Sequence, residues 1–364
     1  MESVSNEQAT VPATMRAAVY RGVNDVRVET IPVPQIGPGE VLVKIHTCGI
    51  CGTDLKKIHT GSHSAPRVFG HEMAGTIAAV GEGVQGFAVG DRVMAYHHIP
   101  CGECFYCRKH TFAQCETYKK VGCTAGFEPA GGGFAEYIRV MDWIVRRGLV
   151  KIPEEVSFEQ AAFIEPTNTC YKAIDMLKLQ QDDTVLVIGQ GPIGILLAAL
   201  AHRTGATVLT SDLYPERHDV AAKFGLNKPL NARQDIVAET KDATAGRGAD
   251  VALLAVGGNA LIQVAMDAIR PGGRVMLFAA TQHGKAPFDP AAVCMDEKTL
   301  MGSYSASVAI QDEVSKLVLE GPRKGFDLTQ LISHRFSLED AVAAIELASH
   351  PQPDSMKIVI QPGL

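Results

Sequence analysis

The stretch Thr184-Val-Leu-Val-Ile188, followed directly by Gly189-Gln-Gly-Pro-Ile-Gly194, decides the fold. Its first five residues form a short, continuously apolar run of the kind that a parallel sheet buries on both faces. The next six residues match G-x-G-x-x-G, and a helix is predicted from Pro192 to about Arg203. A strand that passes through such a turn into a helix is typical of a dinucleotide-binding βαβ unit.

The sequence on either side divides the chain into two kinds of structure. Further strands are predicted at 207–210, 251–256 and 274–279, with helices at 216–224 and 261–269 between them. This alternation predicts an α/β fold with a doubly wound parallel sheet. The earlier part of the chain is instead rich in short strands, glycine and proline, which indicates antiparallel β structure. We therefore predict a disordered tail at 1–14, a β-rich catalytic domain at 15–165 and 302–364, and an NAD-binding Rossmann domain at 166–301.

The glycine-rich turn predicts the coenzyme site. Gly189 permits a tight turn, Gly191 lets the backbone approach a pyrophosphate, and Gly194 allows close packing of helix on strand. Asp212 ends the next predicted strand, 18 residues beyond Gly194, and its carboxylate would accept both ribose hydroxyls of NAD and repel the 2′-phosphate of NADP. A helix-capping aspartate after an ordinary turn is the alternative. The residues expected to bind the coenzyme, NAD, are Gly189, Gly191, Pro192, Ile193, Gly194, Asp212 and Arg217.

Four of the nine cysteines lie close together in the pattern C-x2-C-x2-C-x7-C. Thiolates at this spacing can surround one tetrahedral ion, whereas disulfides within so short a run would be strained. A complete thiolate shell leaves no open position, so the pattern predicts a structural zinc site rather than a catalytic one. An iron–sulfur cluster is the alternative, which the long last spacing and the missing Cys-Pro disfavour. The predicted ligands are Cys101, Cys104, Cys107 and Cys115.

A second set of metal-binding side chains is spread along the chain. Cys51 lies in Gly49-Ile-Cys-Gly-Thr-Asp54, His71 and Glu72 lie in Gly70-His-Glu-Met-Ala-Gly75, and Glu165 precedes a proline. One thiolate, one imidazole and carboxylates can hold zinc and leave room for water or substrate. Each residue alone could instead be a buried thiol, a turn histidine or a helix cap. Their occurrence together with a dinucleotide-binding unit favours a catalytic zinc site.

Composition excludes several other classes of function. The 364 residues carry a net charge of −6 without a basic block, and no apolar run approaches the roughly 18 residues needed to span a bilayer. Neither nucleic acid nor membrane is therefore expected as a partner. The polar N-terminus has no features of a secretion signal, and the clustered cysteines suit a reducing compartment. We expect a cytoplasmic protein.

Gly70-His71-Glu72, with Gly75, Gly81 and Val84, spells GHExxGxxxxxGxxV. With this motif, the chain from Met15 to Leu364 resembles the zinc-containing medium-chain alcohol dehydrogenases, which implies a GroES-like catalytic domain beside the Rossmann domain. Ile164-Glu165-Pro166 is similar to the sorbitol, polyol and threonine dehydrogenase branch of that family.

The resemblance implies roles for particular residues. Cys51 and His71 become ligands of the catalytic zinc, and Glu72 and Glu165 supply the remaining carboxylate positions, directly or through water. Thr53 matches the hydroxyl that hydrogen-bonds the substrate oxygen and passes its proton onward. Neither Cys48 nor Cys170 matches a ligand, so both are expected to be structural.

The chain departs from the family pattern at the proton relay. Many relatives carry a histidine three residues after the Thr53 position, where this chain has Lys56. The relay is expected to end at water, at Lys56 or at His59. His98, in His98-Ile-Pro-Cys101, resembles an active-site histidine of threonine dehydrogenases, with a plain loop histidine as the alternative.

These expectations describe a zinc-dependent oxidoreductase with two zinc ions per chain that transfers hydride from a secondary alcohol to NAD⁺. The substrate would be a small molecule such as a polyol, a sugar alcohol or an amino alcohol. L-Threonine 3-dehydrogenase, a non-catalytic NAD-binding regulator and a zinc-free enoyl or quinone reductase are alternatives, and the complete ligand set opposes the last two. The resemblance also implies a homo-oligomer, a dimer or tetramer, with residues 301–304 near the interface.

Overall fold

The computed structural model describes residues 11–118, 120–279 and 284–364. Most of the predicted disordered tail, residues 1–10, lies outside the described residues. Residues 11–13 are exposed, and the first strand already begins at Thr14. The tail boundary predicted at residue 14 is therefore one residue too late.

The described residues form seventeen strands and twelve α-helices. The strands are β1 (Thr14–Gly22), β2 (Asp25–Pro32), β3 (Val41–Gly49), β4 (Arg67–Val68), β5 (Glu72–Val80), β6 (Arg92–Ala95), β7 (Cys123–Thr124), β8 (Tyr137–Val140), β9 (Leu149–Lys151), β10 (Thr184–Ile188), β11 (Thr207–Asp212), β12 (Pro229–Asn231), β13 (Ala249–Leu254), β14 (Ile269–Leu277), β15 (Thr299–Gly302), β16 (Ile332–Ser337) and β17 (Lys357–Gln361). The helices are α1 (Gly52–Thr60), α2 (Phe105–Arg108), α3 (Asp142–Gly148), α4 (Phe158–Ala162), α5 (Ile164–Leu177), α6 (Pro192–His202), α7 (Glu216–Ala222), α8 (Ile236–Ala243), α9 (Ala260–Ala268), α10 (Pro290–Cys294), α11 (Gln311–Glu320) and α12 (Ala341–Ser349). None of the helices in the described part of the chain is long and apolar enough to span a membrane.

Six strands form one parallel sheet in the order β12-β11-β10-β13-β14-β15. All five side chains of β10 are buried, because helices cover both faces of a parallel sheet. Gly189 follows β10 with φ +95°, and a Cβ on Gly194 would collide with the carbonyl oxygen of Gly189. Glycine at these positions lets α6 begin directly against the sheet. The predicted doubly wound α/β fold is confirmed.

The remaining strands build two further sheets. One has the order β2-β1-β4, and the larger has the path β16-β17-β3-β5-β6-β9 with β7 and β8 attached beside β3. In the larger sheet β3 pairs antiparallel with both β5 and β17. The last strand of the chain thus lies beside one of its first strands, which brings residues about 300 positions apart into contact.

Strand β14 differs most from the prediction. β14 begins at Ile269 and ends at Leu277, where the sequence pattern predicts a strand from 274 to 279 and a helix through 269. Ile269 pairs with Ala249, and Leu277 pairs with Leu254, the last residue of β13. The two ends of β14 are therefore set by the two ends of β13, the strand with which it pairs. Local sequence does not encode this limit, because Pro271-Gly272-Gly273 reads as a turn.

A buried glutamine joins helix α4 to the returning chain. The side-chain amide of Gln160 donates to the carbonyls of Val318, at 2.8 Å, and Phe326, at 3.4 Å. Its carbonyl accepts from the backbone N–H of Leu328 at 2.8 Å. The side chain is 1% exposed, so water cannot replace these bonds.

We expect Gln160→Leu to destabilise the protein by about 2–4 kcal/mol, because it leaves buried backbone groups without partners. Gln180→Leu is the matched control: its side chain bonds only to the Lys178 carbonyl at the surface, so its effect should stay below about 0.5 kcal/mol. Urea unfolding of both variants measures the difference. Equal stabilities would show that Gln160 does not connect the two segments energetically.

Candidate active site

A cleft brings together the residues that the sequence analysis placed in a catalytic centre. Its walls come from helix α1, strand β5, helix α5 and the start of helix α6, together with neighbouring loops. The lining residues include Cys51, Thr53, Lys57, His63, His71, Glu72, His97, His98, Tyr118, Glu165, Ile193, Phe278 and Tyr304. Ile193 belongs to the glycine-rich turn and helix α6, so the coenzyme loop opens into the same cleft.

Cys51 is positioned by the start of helix α1. Its backbone is extended, and its Sγ accepts from the backbone N–H of Thr53 at 3.5 Å. The side chain of Asp54 reaches back to accept from the N–H of Cys51 at 3.2 Å, which completes a capping box. The cap fixes the thiol at the N-terminus of α1 and turns Thr53 into the cleft.

His71 is buried against Asp54. Its Nδ1 lies 3.0 Å from Asp54 Oδ1, which also accepts from the N–H of Gly70 at 3.3 Å. With a carboxylate beside Nδ1, the imidazole keeps its proton there and leaves the Nε2 lone pair for a metal ion. Burial lowers the pKa of His71, but the charges of Asp54 and Cys51 outweigh it and hold the pKa well above its usual value.

Asp54 is a functional residue that the sequence analysis did not single out. Asp54 is fully buried, and burial alone would raise its pKa. The charge and hydrogen bond of His71 have a larger, opposite effect, so the pKa of Asp54 lies below its usual value. Its position three residues after Cys51 was the available signal, since a carboxylate at that spacing forms a capping box. The contact with His71 joins two distant segments and leaves no local pattern.

Glu72 lies against a second buried charge. One of its oxygens, Oε2, is in close contact with Lys357 Nζ, and Lys357 also donates to the carbonyl of Ile50 at 3.0 Å. Burial lowers the pKa of Lys357, but Glu72 and Cys51 raise it more. A Cβ on Gly49 would collide with both side chains, so the pair requires glycine there. Lys357 appeared in the sequence only as the first residue of the last strand.

Glu165 occupies the second position of α5 and faces the same cleft. Burial raises its pKa to about 7, so the carboxyl is easily protonated near neutral pH. Donor atoms of Cys51, His71 and Glu72 lie within 4.8 Å of one another, and Glu165 is not part of that group. The structure thus brings both predicted glutamates to the site, with Glu72 closer to the thiol and imidazole.

These residues fit a zinc ion. In the described part of the chain Glu72 Oε1 is buried without a hydrogen-bond partner. An unsatisfied buried carboxylate oxygen is costly, and a cation would satisfy it. One thiolate, one imidazole nitrogen and one carboxylate within bonding range of a common point form a three-ligand set with an open position.

The four predicted structural ligands also lie together. Donor atoms of Cys101, Cys104, Cys107 and Cys115 lie within 4.8 Å of one another, and all are free thiols. The Sγ atoms of Cys101 and Cys107 are 3.9 Å apart, close to the roughly 3.8 Å edge of a tetrahedron with 2.3 Å Zn–S bonds. Burial alone would raise the pKa of Cys115. Hydrogen bonds from Cys101 and Thr117 have the larger, opposite effect, so the pKa falls to about 6. The group therefore suits a thiolate-bound metal.

The predicted coenzyme residues lie at the carboxyl end of the parallel sheet. Asp212 ends β11, and its Oδ2 accepts from the backbone N–H of Gln190 at 2.6 Å. Its Oδ1 accepts from the N–H of Tyr214 at 2.9 Å, and Arg217 Nη1 lies 3.3 Å from Oδ2. Asp212 lines a groove with His218 and Arg233. Its carboxylate is thus held beside the glycine-rich turn, as a ribose site requires.

The structure tests which side chain could end the proton relay. His59 lies outside the cleft, in another groove, where its two ring nitrogens bond to Asn24 Oδ1 at 2.6 Å and Ser349 Oγ at 2.9 Å. A relay through His59 is therefore wrong. Lys57, rather than Lys56, lines the cleft.

His98 lies both in the cleft and beside the cysteines, so the two explanations offered for it are compatible. Its ring packs on those of His97, at 4.2 Å between centroids, and Tyr118, at 5.2 Å. Tyr118 in turn packs with Cys107 and Cys115. Of the two other cysteines expected to be structural, Cys48 is the last residue but one of β3, Cys170 lies on α5, and both are fully buried.

We expect Asp54→Asn to weaken zinc binding at the Cys51–His71 site by about 10–100-fold, because the amide no longer holds His71 in its metal-binding form. Zinc content after dialysis against graded chelator measures this, and the four-cysteine site serves as the internal control. An unchanged chelator profile would contradict the orienting role of Asp54.

Comparison with known proteins gives these features a family context. Residues 37–154 match the model of the alcohol dehydrogenase GroES-like domain, and residues 192–320 match that of the zinc-binding dehydrogenase. The chain is 32% identical to sorbitol dehydrogenase of Bacillus subtilis, over 97% of this chain and 99% of that protein. It is 30% identical to (R,R)-butanediol dehydrogenase of the same bacterium, over 96% of this chain and 100% of that protein.

Solved structures show the same likeness. Alcohol dehydrogenase TADH from Thermus sp. ATN1 superposes with a TM-score of 0.84 at 33% identity, over 95% of this chain and 99% of that one. An E. coli CFT073 dehydrogenase complexed with NADH has a TM-score of 0.84 at 27% identity, and a Sinorhizobium meliloti 1021 zinc-binding dehydrogenase bound to NADP has 0.85 at 28%. Each covers 96% of this chain and 100% of its own. The chain belongs to the zinc-binding, nicotinamide-dependent alcohol dehydrogenase family.

Proposed function

We propose that this oxidoreductase oxidises a polyol or related secondary alcohol with NAD⁺, using one catalytic and one structural zinc ion. The observation that carries the proposal is the cluster of Cys51, His71 and Glu72 in the cleft that also holds Thr53 and Ile193. The sorbitol and butanediol dehydrogenases among its relatives support the substrate class.

Two groups of residues are proposed to bind the two zinc ions. Cys51 and His71 would hold the catalytic zinc with Glu72 or Glu165, while Cys101, Cys104, Cys107 and Cys115 would hold the structural one. When bound, the catalytic zinc supplies a Lewis acid that makes the substrate hydroxyl more acidic.

Thr53 accepts the hydroxyl proton and passes it toward solvent. When bound, NAD⁺ would supply the hydride acceptor, so that oxidation of the alcohol yields a ketone, NADH and a proton. Ile193 and Phe278 would exclude water from this transfer. Asp54 and Lys357 are positioning residues, since they act through His71 and Glu72.

We also propose NAD⁺ rather than NADP⁺ as the coenzyme, with Gly189, Gly191, Pro192, Ile193 and Gly194 at the pyrophosphate. Asp212 would bind the ribose hydroxyls, and Arg217, 3.3 Å away, would hold that carboxylate in place. Because Asp212 is an anion at the 2′ position, a 2′-phosphate would be repelled.

We also propose the oligomeric state and the location of the protein. β15 forms an edge of the six-stranded sheet, and a second copy pairing there would give a homo-oligomer. Nine free cysteines suit a reducing cytoplasm. The proposed catalytic unit is 15–165 with 302–364, and the proposed coenzyme unit is 166–301.

L-Threonine 3-dehydrogenase remains a second candidate function. The specific observation in its favour is His98, which lines the cleft and packs on Tyr118. Threonine therefore belongs in the first substrate panel.

NAD⁺ reduction with sorbitol, xylitol, galactitol, 2,3-butanediol and threonine tests the function. We expect turnover of at least one, and its loss by more than about 1,000-fold in Cys51→Ser and in His71→Ala, because each removes a proposed zinc ligand. Cys294→Ser and His350→Ala change exposed residues and should leave turnover intact. Full activity in either ligand variant would contradict the catalytic zinc site.

We expect Asp212→Ser to lower the preference for NAD⁺ over NADP⁺ by at least about tenfold, since about 1.4 kcal/mol of discrimination is lost with the charge. Ratios of kcat/KM for the two coenzymes measure this. Asp219→Ser, on the exposed side of α7, is the control. A preference that survives Asp212→Ser would place coenzyme selection elsewhere.

A further inference from the structure

Helix α1 carries two side chains into the cleft one turn apart. Thr53 and Lys57 stand four residues apart on this helix, and both line the cleft with Cys51 and His71. Residues at this spacing share a helix face, with Cβ atoms about 5–6 Å apart. The ammonium of Lys57 is thus presented beside the hydroxyl that is proposed to bind the reacting oxygen.

Apolar surface holds Lys57 in this direction. Its Nζ lies 5.4 Å from the centroid of the Phe69 ring, which is itself buried. His63, another cleft residue, packs edge-on against the same ring at 5.8 Å. A cation over an aromatic face is attracted to it without losing its ability to bind an anion. The ring therefore supports the ammonium and leaves its donors directed to the cleft.

Three carboxylates lie nearby: Glu165 interacts electrostatically with His71 and Lys357, and the other two are committed to direct partners. Asp54 accepts from His71, Gly70 and Cys51, and Glu72 contacts Lys357. Lys57 makes no ion pair with any carboxylate in the described ranges of the chain. Its contact with Phe69 satisfies no hydrogen-bond donor. Asp54 attracts Lys57 through space, but no carboxylate of the described residues forms a direct ion pair with the ammonium, so its hydrogen-bond donors remain available to a ligand.

We propose that Lys57 binds an anionic group of the substrate, so that the favoured alcohol carries a carboxylate or a phosphate a few bonds from the reacting hydroxyl. The inference rests on the proposed function and narrows its substrate class from polyols to their acids or phosphate esters. A neutral polyol would displace water from the ammonium without replacing its charge partner, whereas an anion forms a charge-assisted hydrogen bond.

A matched series of substrates isolates the charge. Sorbitol, gluconate and sorbitol 1-phosphate share a six-carbon chain with the same secondary hydroxyls and differ only at carbon 1, which is neutral, a carboxylate or a phosphate ester. At constant ionic strength we expect kcat/KM to be at least about tenfold higher for one of the anions than for sorbitol. The better of the two anions tells whether the carboxylate or the phosphate is recognised.

Substitution of Lys57 tests whether this residue causes the preference for an anionic substrate. We expect Lys57→Met to raise KM for the favoured anion by about 10–100-fold with kcat changed less than about threefold, and to leave sorbitol unaffected. Lys57→Arg keeps the charge and should restore most of the affinity. Lys223→Met removes an exposed lysine at the end of α7, which does not line the cleft, and controls for net charge.

Binding without turnover gives an independent readout. In 2-hydroxyisobutyrate the carbinol carbon has no hydrogen to transfer, so it binds as a dead-end analogue, and tert-butanol is its neutral counterpart. Calorimetric titration of the NAD⁺ complex should show tighter binding of the acid, with the difference lost in Lys57→Met. Higher salt should weaken only the acid.

Several results would overturn the inference. If sorbitol is turned over as well as both anions, the inference fails and the proposed function stands. A fall in kcat for every substrate would place Lys57 on the proton relay, and a raised KM for NAD⁺ alone would place it on the coenzyme. Absence of turnover with all neutral and anionic alcohols would overturn the proposed function, and this inference with it.

Discussion

The pairing of β3 with β5 and β17 fixes the site. Gly49, the last residue of β3, is opposite both Glu72 and Val359. Cys51 follows Gly49 by two residues, His71 precedes Glu72, and Lys357 lies two residues before Val359. Because side chains alternate along a strand, a shift of one residue in either pairing would turn Glu72 or Lys357 to the opposite face. The register of this sheet thus assembles three sequence segments into one centre.

The charged side chains of this centre can be buried because each is paired with an opposite charge. Asp54 beside His71 and Glu72 beside Lys357 form two buried pairs of opposite charge, and both lie within reach of the Cys51 thiol. Buried ions are costly unless they are paired and hydrogen-bonded, and here each has a named partner. What remains is an open side occupied by Thr53 and by the coenzyme loop through Ile193. The fold therefore places the two buried charge pairs in the same cleft as the hydroxyl of Thr53 and the coenzyme loop.

Much of this arrangement could be predicted from the sequence. The apolar run before Gly189 and the alternation after it predicted the parallel sheet, and the spacing from Cys101 to Cys115 predicted a group that the structure indeed brings together. The parts that were missed depend on contacts between distant segments. Asp54 acts through His71, and Lys357 acts through Glu72 across almost the whole chain, so neither leaves a local pattern. His59 was offered as a relay residue by proximity in sequence, but its helix turns it toward Asn24 and away from the cleft.

We propose two metal centres of different character in one chain, a closed shell of four thiolates and an open set built on Cys51 and His71. Zinc per chain, measured by mass spectrometry on the purified protein together with zinc-edge anomalous scattering from a crystal, tests it most directly. We expect two zinc ions per chain, one among Cys101, Cys104, Cys107 and Cys115 and one between Cys51 and His71. A single zinc among the four cysteines, with no anomalous signal in the cleft at saturating zinc, would contradict it.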